Sequence, residues 1–223
     1  ARVPRAKLIF RVPATWQGLQ ACRALEADGV ATQAYQVFSR VQAAAAAQSG
    51  VSVVSPNVGR TRDFYNKFPG VVRDALGPRE DAGGGSATSD PGVALARRIY
   101  TYVKKFGGAA KGGGKAPPLV MAAGLRSRSD VLSLAGCDYL VVPAGVLAQL
   151  ATASTVSGYN DGLSAAGGPD DDELPGGAED RPLTPALAAA DQDLEEVPAL
   201  TEAAFEDGLG MAGSALLSAG LSG

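Results

Sequence analysis

The sequence predicts an α/β fold in which short strands alternate with helices and pair into a parallel sheet. Three observations carry that expectation. Short β-rich runs alternate with helical patterns through the first 153 residues. The helical patterns are bracketed by N-cap residues and terminal glycines. A hydrophobic content of 46% over 223 residues is enough for a sizeable core.

The elements follow in order. A strand is expected over Leu8–Val12, followed by a helix from about Thr15, its N-cap, to Asp28-Gly29. A second strand is expected at about Val30–Val37. Ser39-Arg40-Val41-Gln42 then reads as a capping box opening an alanine-rich helix that stops at Gly50. The third strand, Val51–Ser55, enters the Pro56-Asn57-Val58-Gly59-Arg60 loop. Residues from about 68 to 89, with Gly-Pro and Gly-Gly-Gly-Ser, read as a flexible insertion. Asp90-Pro91 restarts a helix as N-cap and first-turn proline, with the apolar stripe Val93, Ala96, Ile99, Tyr100 and Val103. A glycine-rich linker, about 107–116, precedes the fourth strand, Leu119–Ala123. The fifth strand is Asp138–Val142. Residues 154–182 read as an acidic Gly/Asp-rich linker without fixed structure. Helical potential returns within 183–223, near Pro185–Ala190 and Thr201–Leu217.

Composition removes several chemistries. Without histidine there is no Ser-His-Asp or Cys-His catalysis and no histidine metal site, so no metal is expected. Cys22 and Cys137 are far apart and fit neither CxxC nor a disulfide framework, so both read as free thiols. No run of about 18 apolar residues exists to form a membrane span. Residues 1–5 show neither an apolar signal core nor a starting methionine, the pattern of a processed or truncated end. The glycine-rich stretches match neither GxGxxG after a strand nor GxxxxGKS, which makes them linkers. The net charge of −3 hides an asymmetry. Residues 1–153 hold 19 basic against 9 acidic residues, a balance of +10, and residues 154–223 hold 1 against 14, a balance of −13. Such a chain either neutralises itself or offers a basic surface to an anionic partner, RNA included. Lys104, Lys105, Lys111 and Lys115 read as a solvated cluster, and Tyr100, Tyr102 and Phe106 as core and helix surface.

Four segments then fall together in order: Pro13-Ala14-Thr15-Trp16-Gln17-Gly18; Val54-Ser55-Pro56-Asn57-Val58-Gly59-Arg60; Asp90-Pro91-Gly92-Val93 leading to Ile99-Tyr100 and Tyr102-Val103-Lys104-Lys105-Phe106; and Leu134-Ala135-Gly136-Cys137-Asp138-Tyr139-Leu140. Together they resemble the transaldolase family, with a weaker match from Leu200 to Met211-Ala212. The resemblance implies a (β/α)8 TIM barrel whose site lies at the C-terminal ends of the strands. It implies that strands 4–8 and their helices are represented here. The family's first three strands, with a catalytic aspartate and glutamate, then have no counterpart, which leaves two unpaired sheet edges. Either an N-terminal portion is missing from this sequence, or other protein subunits cover the open edge at Leu8–Val12.

Position by position, the resemblance puts Arg11 where the family has its Schiff-base lysine. Gln33 and Tyr35 stand where it has an Asn-x-Thr pair holding the proton-relay water. Asn57 replaces an aromatic residue, and Gly124 a serine of the phosphate site. Ser55, Arg60 and Arg126 match the sugar-phosphate clamp, and two guanidiniums with a hydroxyl suit a phosphate dianion. Arg60 and Arg126 equally suit pairing with Asp63 and Asp130. Arginine stays protonated and cannot form the imine. Lys7 shares the strand face of Arg11 by the two-residue period, but about 13 Å further down, away from the site.

The resemblance with these departures implies a transaldolase-like pseudoenzyme, a structural or interaction subunit of a larger assembly that needs no cofactor. Two alternatives stand beside it: an active transaldolase of the pentose phosphate pathway, moving a dihydroxyacetone unit, and a non-catalytic module binding sugar phosphate or RNA. Alanine and glycine bias, together with where transaldolases occur, suggests the plastid stroma, otherwise the cytoplasm.

Overall fold

A computed structural model describes residues 4, 7–71, 90–108, 116–152, 182–192 and 194–222. Five strands, β1 (Phe10–Pro13), β2 (Thr32–Val37), β3 (Val53–Pro56), β4 (Leu119–Ala122) and β5 (Tyr139–Leu140), form one parallel sheet in the order β1-β2-β3-β4-β5. Consecutive parallel neighbours require each connection to cross one face, and right-handed crossovers put the helices on the same side. The result is an arc of a (β/α) barrel. Each strand is one or more residues shorter than its sequence pattern suggests. The expected insertion is described only to Val71, and nearly all of the linkers at 107–116 and 154–182 lies outside the described residues, as do Lys111 and Lys115.

The helices are α1 (Trp16–Ala27), α2 (Arg40–Ser49), α3 (Val58–Lys67), α4 (Pro91–Phe106), α5 (Arg128–Ser133), α6 (Ala144–Thr152), α7 (Pro185–Ala190), α8 (Glu202–Gly208) and α9 (Gly210–Leu221). Their starts follow side-chain chemistry. The Thr15 hydroxyl accepts from Gly18 N, and Asp90 Oδ1 accepts from Gly92 N and Val93 N, with Pro91 in the first turn. The Ser39 cap differs from the expected box. Its hydroxyl does accept from Gln42 N at 3.3 Å, but Gln42 Oε1 accepts from Phe38 N at 2.8 Å rather than from Ser39 N. Gln42 Nε2 meanwhile donates to Ala14 O and Gln36 O. A fully buried side-chain amide thus links the ends of β1 and β2, where β2 bulges and Gln36 adopts φ 60°.

The core lies between sheet and helices. Val12, Ala34, Val54, Val120, Ala122 and Leu140 point outward against Leu19, Ile99, Tyr100, Val103 and the alanines of α2. Alanine dominates α2 because the helix is enclosed: α1 and α4 flank it and α8 lies across it, with Phe205 buried. The segment before α8 is tied in by Gln48, whose amide donates to Val197 O and Pro198 O and accepts from Leu200 N. Glu26 fixes the opposite end of the layer. A single carboxylate oxygen accepts from the amide and hydroxyl of both Thr32 and Ser52, at 2.7–2.8 Å.

Two expectations change. Lys7 sits in a turn before β1, with its amide bonded to Pro4 O, so the strand period does not carry it onto the face of Arg11. Lys104 and Lys105 are not a solvated pair. Lys104 Nζ, on a side chain 6% exposed, pairs with Asp138 at 2.8 Å and donates to Pro118 O. Lys105 Nζ donates to Asp191 O and Leu194 O, tying α4 to the segment after α7.

Candidate functional site

The face of the sheet away from the helices carries the alternate residues: Arg11 on β1, Gln33 and Tyr35 on β2, Val53 and Ser55 on β3, and Met121 on β4. Register brings Arg11 beside Gln33, and Tyr35 beside both Pro13 and Ser55. The Arg11 guanidinium lies over the Tyr35 ring, 4.3 Å from its centroid. Gln33 Nε2 meets Met121 Sδ at 3.6 Å, and the Ser55 hydroxyl donates to Met121 O at 2.8 Å. The four described lysines, Lys7, Lys67, Lys104 and Lys105, all lie off the strands.

Just past the strand ends, β3 and β4 deliver a second group. Asn57 bridges to Ala123 and caps α3, its Oδ1 accepting from Arg60 N at 3.0 Å. Gly124 has φ +77°, and a Cβ there would meet Asn57 Oδ1 at 2.5 Å. The two departures from the family pattern are therefore one packing solution. Gly59, in the first turn of α3, lets Arg126 cross it, since a Cβ there would meet Arg126 Nε at 2.9 Å. Arg60 is exposed on the same turn.

Arg126 forks onto Asp63, with both N–H···O distances 2.6 Å and both side chains half exposed. That guanidinium holds the Asp63 carboxyl below the ordinary carboxylate range, although the pair is open to water. Ser55, Arg60 and Arg126 therefore lie at adjoining strand ends, with the Ser55 hydroxyl turned to the sheet backbone and Arg126 engaged by a carboxylate.

Sequence reasoning missed the group behind this surface. Arg62 pairs with Asp90 and, at 2.6 Å, with Asp130. Asp130 Oδ2 accepts from Arg126 N at 2.8 Å and Ser127 N at 3.3 Å, completing a capping box with Ser127. Burial pushes the Asp130 carboxyl up, but the Arg126 amide, the Arg62 guanidinium and the Ser127 hydroxyl outweigh it and hold it low. The Arg62 guanidinium is held protonated above its usual range, mainly by Asp90. One arginine thus joins the starts of α4 and α5 to α3. The S-x-x-D pattern of Ser127–Asp130 was available in the sequence as a signal, but a charge spacing of 28 and 68 residues from Arg62 was not.

The family model for transaldolase/fructose-6-phosphate aldolase matches residues 1–201. The chain belongs to that family. A curated relative, "Transaldolase" from Chlamydia muridarum (strain MoPn / Nigg), is 38% identical over 146 residues, which are 66% of this chain and 39% of the relative. The chain thus matches about two fifths of that relative's length. The five-stranded arc, with β1 leading into the Pro-Ala-Thr-Trp turn, is the corresponding part of the family's TIM barrel.

Proposed function

We propose that this chain is a non-catalytic member of the transaldolase/fructose-6-phosphate aldolase family, acting as an interaction subunit within a larger assembly. The observation that carries this is Arg11. Its guanidinium occupies the strand position where the family resemblance implies a nucleophilic lysine, and it is stacked on Tyr35. A permanently protonated guanidinium offers no lone pair to a ketose carbonyl. The sheet edges bear on the interaction role: Leu8, Ile9 and Phe10 at one, and Tyr139 and Val141 at the other, are large apolar residues left exposed. A parallel βα unit would cover both, supplied by another subunit or by the part of the family barrel that this sequence does not span. Borohydride reduction in the presence of a ketose phosphate should leave every lysine unmodified, and a covalent adduct on any of them would end the proposal.

A second reading is favoured by the strand-end geometry: retained sugar-phosphate binding at Arg60 and Arg126 with Ser55 beneath. The room that Gly59 leaves for the Arg126 side chain supports it. The Arg126 fork onto Asp63 is the competing ion pair, exposed enough for a phosphate to displace. Calorimetric titration with a sugar phosphate should give binding that Arg126→Ala removes. We further propose a plastid location, and contact with RNA through a basic surface from which Lys104 and Lys105, engaged internally, are withdrawn.

A further inference from the structure

Arg11 does more than remove a nucleophile, because its position supplies an anion-binding group. Register sets Arg11 beside Gln33 and Pro13 beside Tyr35, so the ring under the guanidinium lies one strand across and one inner position further up. The side chain therefore climbs toward the strand ends. The ring takes up one side of the guanidinium, whose N–H donors lie around the edge of its plane. Among the described residues no carboxylate forms an ion pair with Arg11, and its side chain is exposed.

We infer that the inner face binds a small molecule that is anionic at both ends, of the class of phosphorylated sugar acids. Its carboxylate sits on Arg11 and its phosphate at Arg60 and Arg126. The phosphate end rests on the second reading above. A carboxylate accepts two parallel charge-assisted hydrogen bonds from a guanidinium edge, whereas a ketose carbonyl is one neutral acceptor. The two ends lie on one path along the inner face. Tyr35, under Arg11, and Ser55 are neighbours in register, a strand spacing of roughly 4.8 Å, and Asn57, the cap of the turn that bears Arg60, follows two residues beyond Ser55. Asp63 pairs with Arg126 at the phosphate end, and as an exposed pair it is readily displaced. The ligand is held without reaction, since the inner face offers no lysine among the described residues.

Isothermal titration of the full chain with phosphogluconate and with fructose phosphate tests this. Phosphogluconate should bind at least about tenfold more tightly, the difference between a charged fork and a neutral acceptor. Arg11→Gln should lower its affinity to that of fructose phosphate, and Arg11→Lys should keep only part of the preference, because a point charge lacks the fork. Arg126→Ala should weaken both ligands. Equal affinities in the unaltered chain, or a preference that survives Arg11→Gln, overturns the inference while leaving the phosphate end intact. Loss of preference in Arg11→Gln with no effect of Arg126→Ala overturns the phosphate end, and with it the two-ended ligand. Arg11 is exposed, so these variants should unfold at the same temperature as the parent chain.

Discussion

At the scale of single residues, the strand-end surface is governed by charges and glycines rather than by its own hydroxyl. On that surface, Arg62 is the residue whose loss should be felt most. Arg62→Leu leaves Asp90 and the buried Asp130 facing each other without their cation, and should cost roughly 2–3 kcal/mol in urea unfolding at neutral pH. The pH dependence has a definite sign. The folded Asp130 carboxyl is held below its unfolded value of about 4, so its stabilisation is present above that pH and is lost as pH falls through the lower folded value. Arg62→Leu should raise the folded value, so the loss of stability on acidification becomes shallower. Unfolding curves taken from neutral pH down through the carboxylate range check both statements. Gly124 and Asn57 form a second coupled unit. Gly124→Ser, which would restore the family's hydroxyl, should destabilise by about 1–3 kcal/mol because its φ is left-handed and its Cβ meets Asn57. A double-mutant cycle with Asn57→Ala should return a coupling of at least about 0.5 kcal/mol. Additive effects would show that the two positions are independent.

At the scale of elements, close approach of helix ends sets the site. Gly92 lies against the start of α3: a Cβ there would meet Val58 O at 2.1 Å, with the Val58 carbonyl carbon at 2.8 Å. Gly92→Ala should therefore push α4 from α3, destabilise by about 1–3 kcal/mol, and displace the turn that bears Gly59 and Arg60. Thermal unfolding and sugar-phosphate titration of the one variant read both effects. On the other side of the layer, α8 packs on α1 and α2, and its buried Phe205 ring is 5.7 Å from that of Trp16 on α1. Phe205→Ala should cost roughly 3–5 kcal/mol. It should also shift the emission of the single tryptophan to longer wavelength as water reaches the indole. These elements were largely legible. The caps at Thr15, Ser39 and Asp90 and the glycine stop at Gly50 are local chemistry, visible as residue types at fixed offsets. The Phe38–Gln42 bond was not, because it depends on the bulge that turns Gln36 through a positive φ.

At the scale of the whole molecule, the arc leaves apolar side chains at both edges of the sheet. An uncovered edge with Leu8, Ile9 and Phe10 beside it is a template for association. Ile9→Lys should leave the melting temperature within a few degrees, since the residue is about half exposed, and should lower light scattering if the β1 edge pairs with a second polypeptide, this chain included. If scattering is unchanged, the β1 edge is not the associating surface.

The sequence by itself determined the family, the parallel αβ alternation, the absence of histidine chemistry and the replacement of the implied lysine by Arg11. These follow from residue identity, local spacing and turn chemistry, which need no distant partner. Only the tertiary structure decided which charges meet. Lys104 with Asp138, Arg62 with Asp90 and Asp130, Arg126 with Asp63, and Arg11 over Tyr35 each join residues that are far apart in the chain. Strand register and helix packing bring them together, and no periodicity along one segment encodes that juxtaposition.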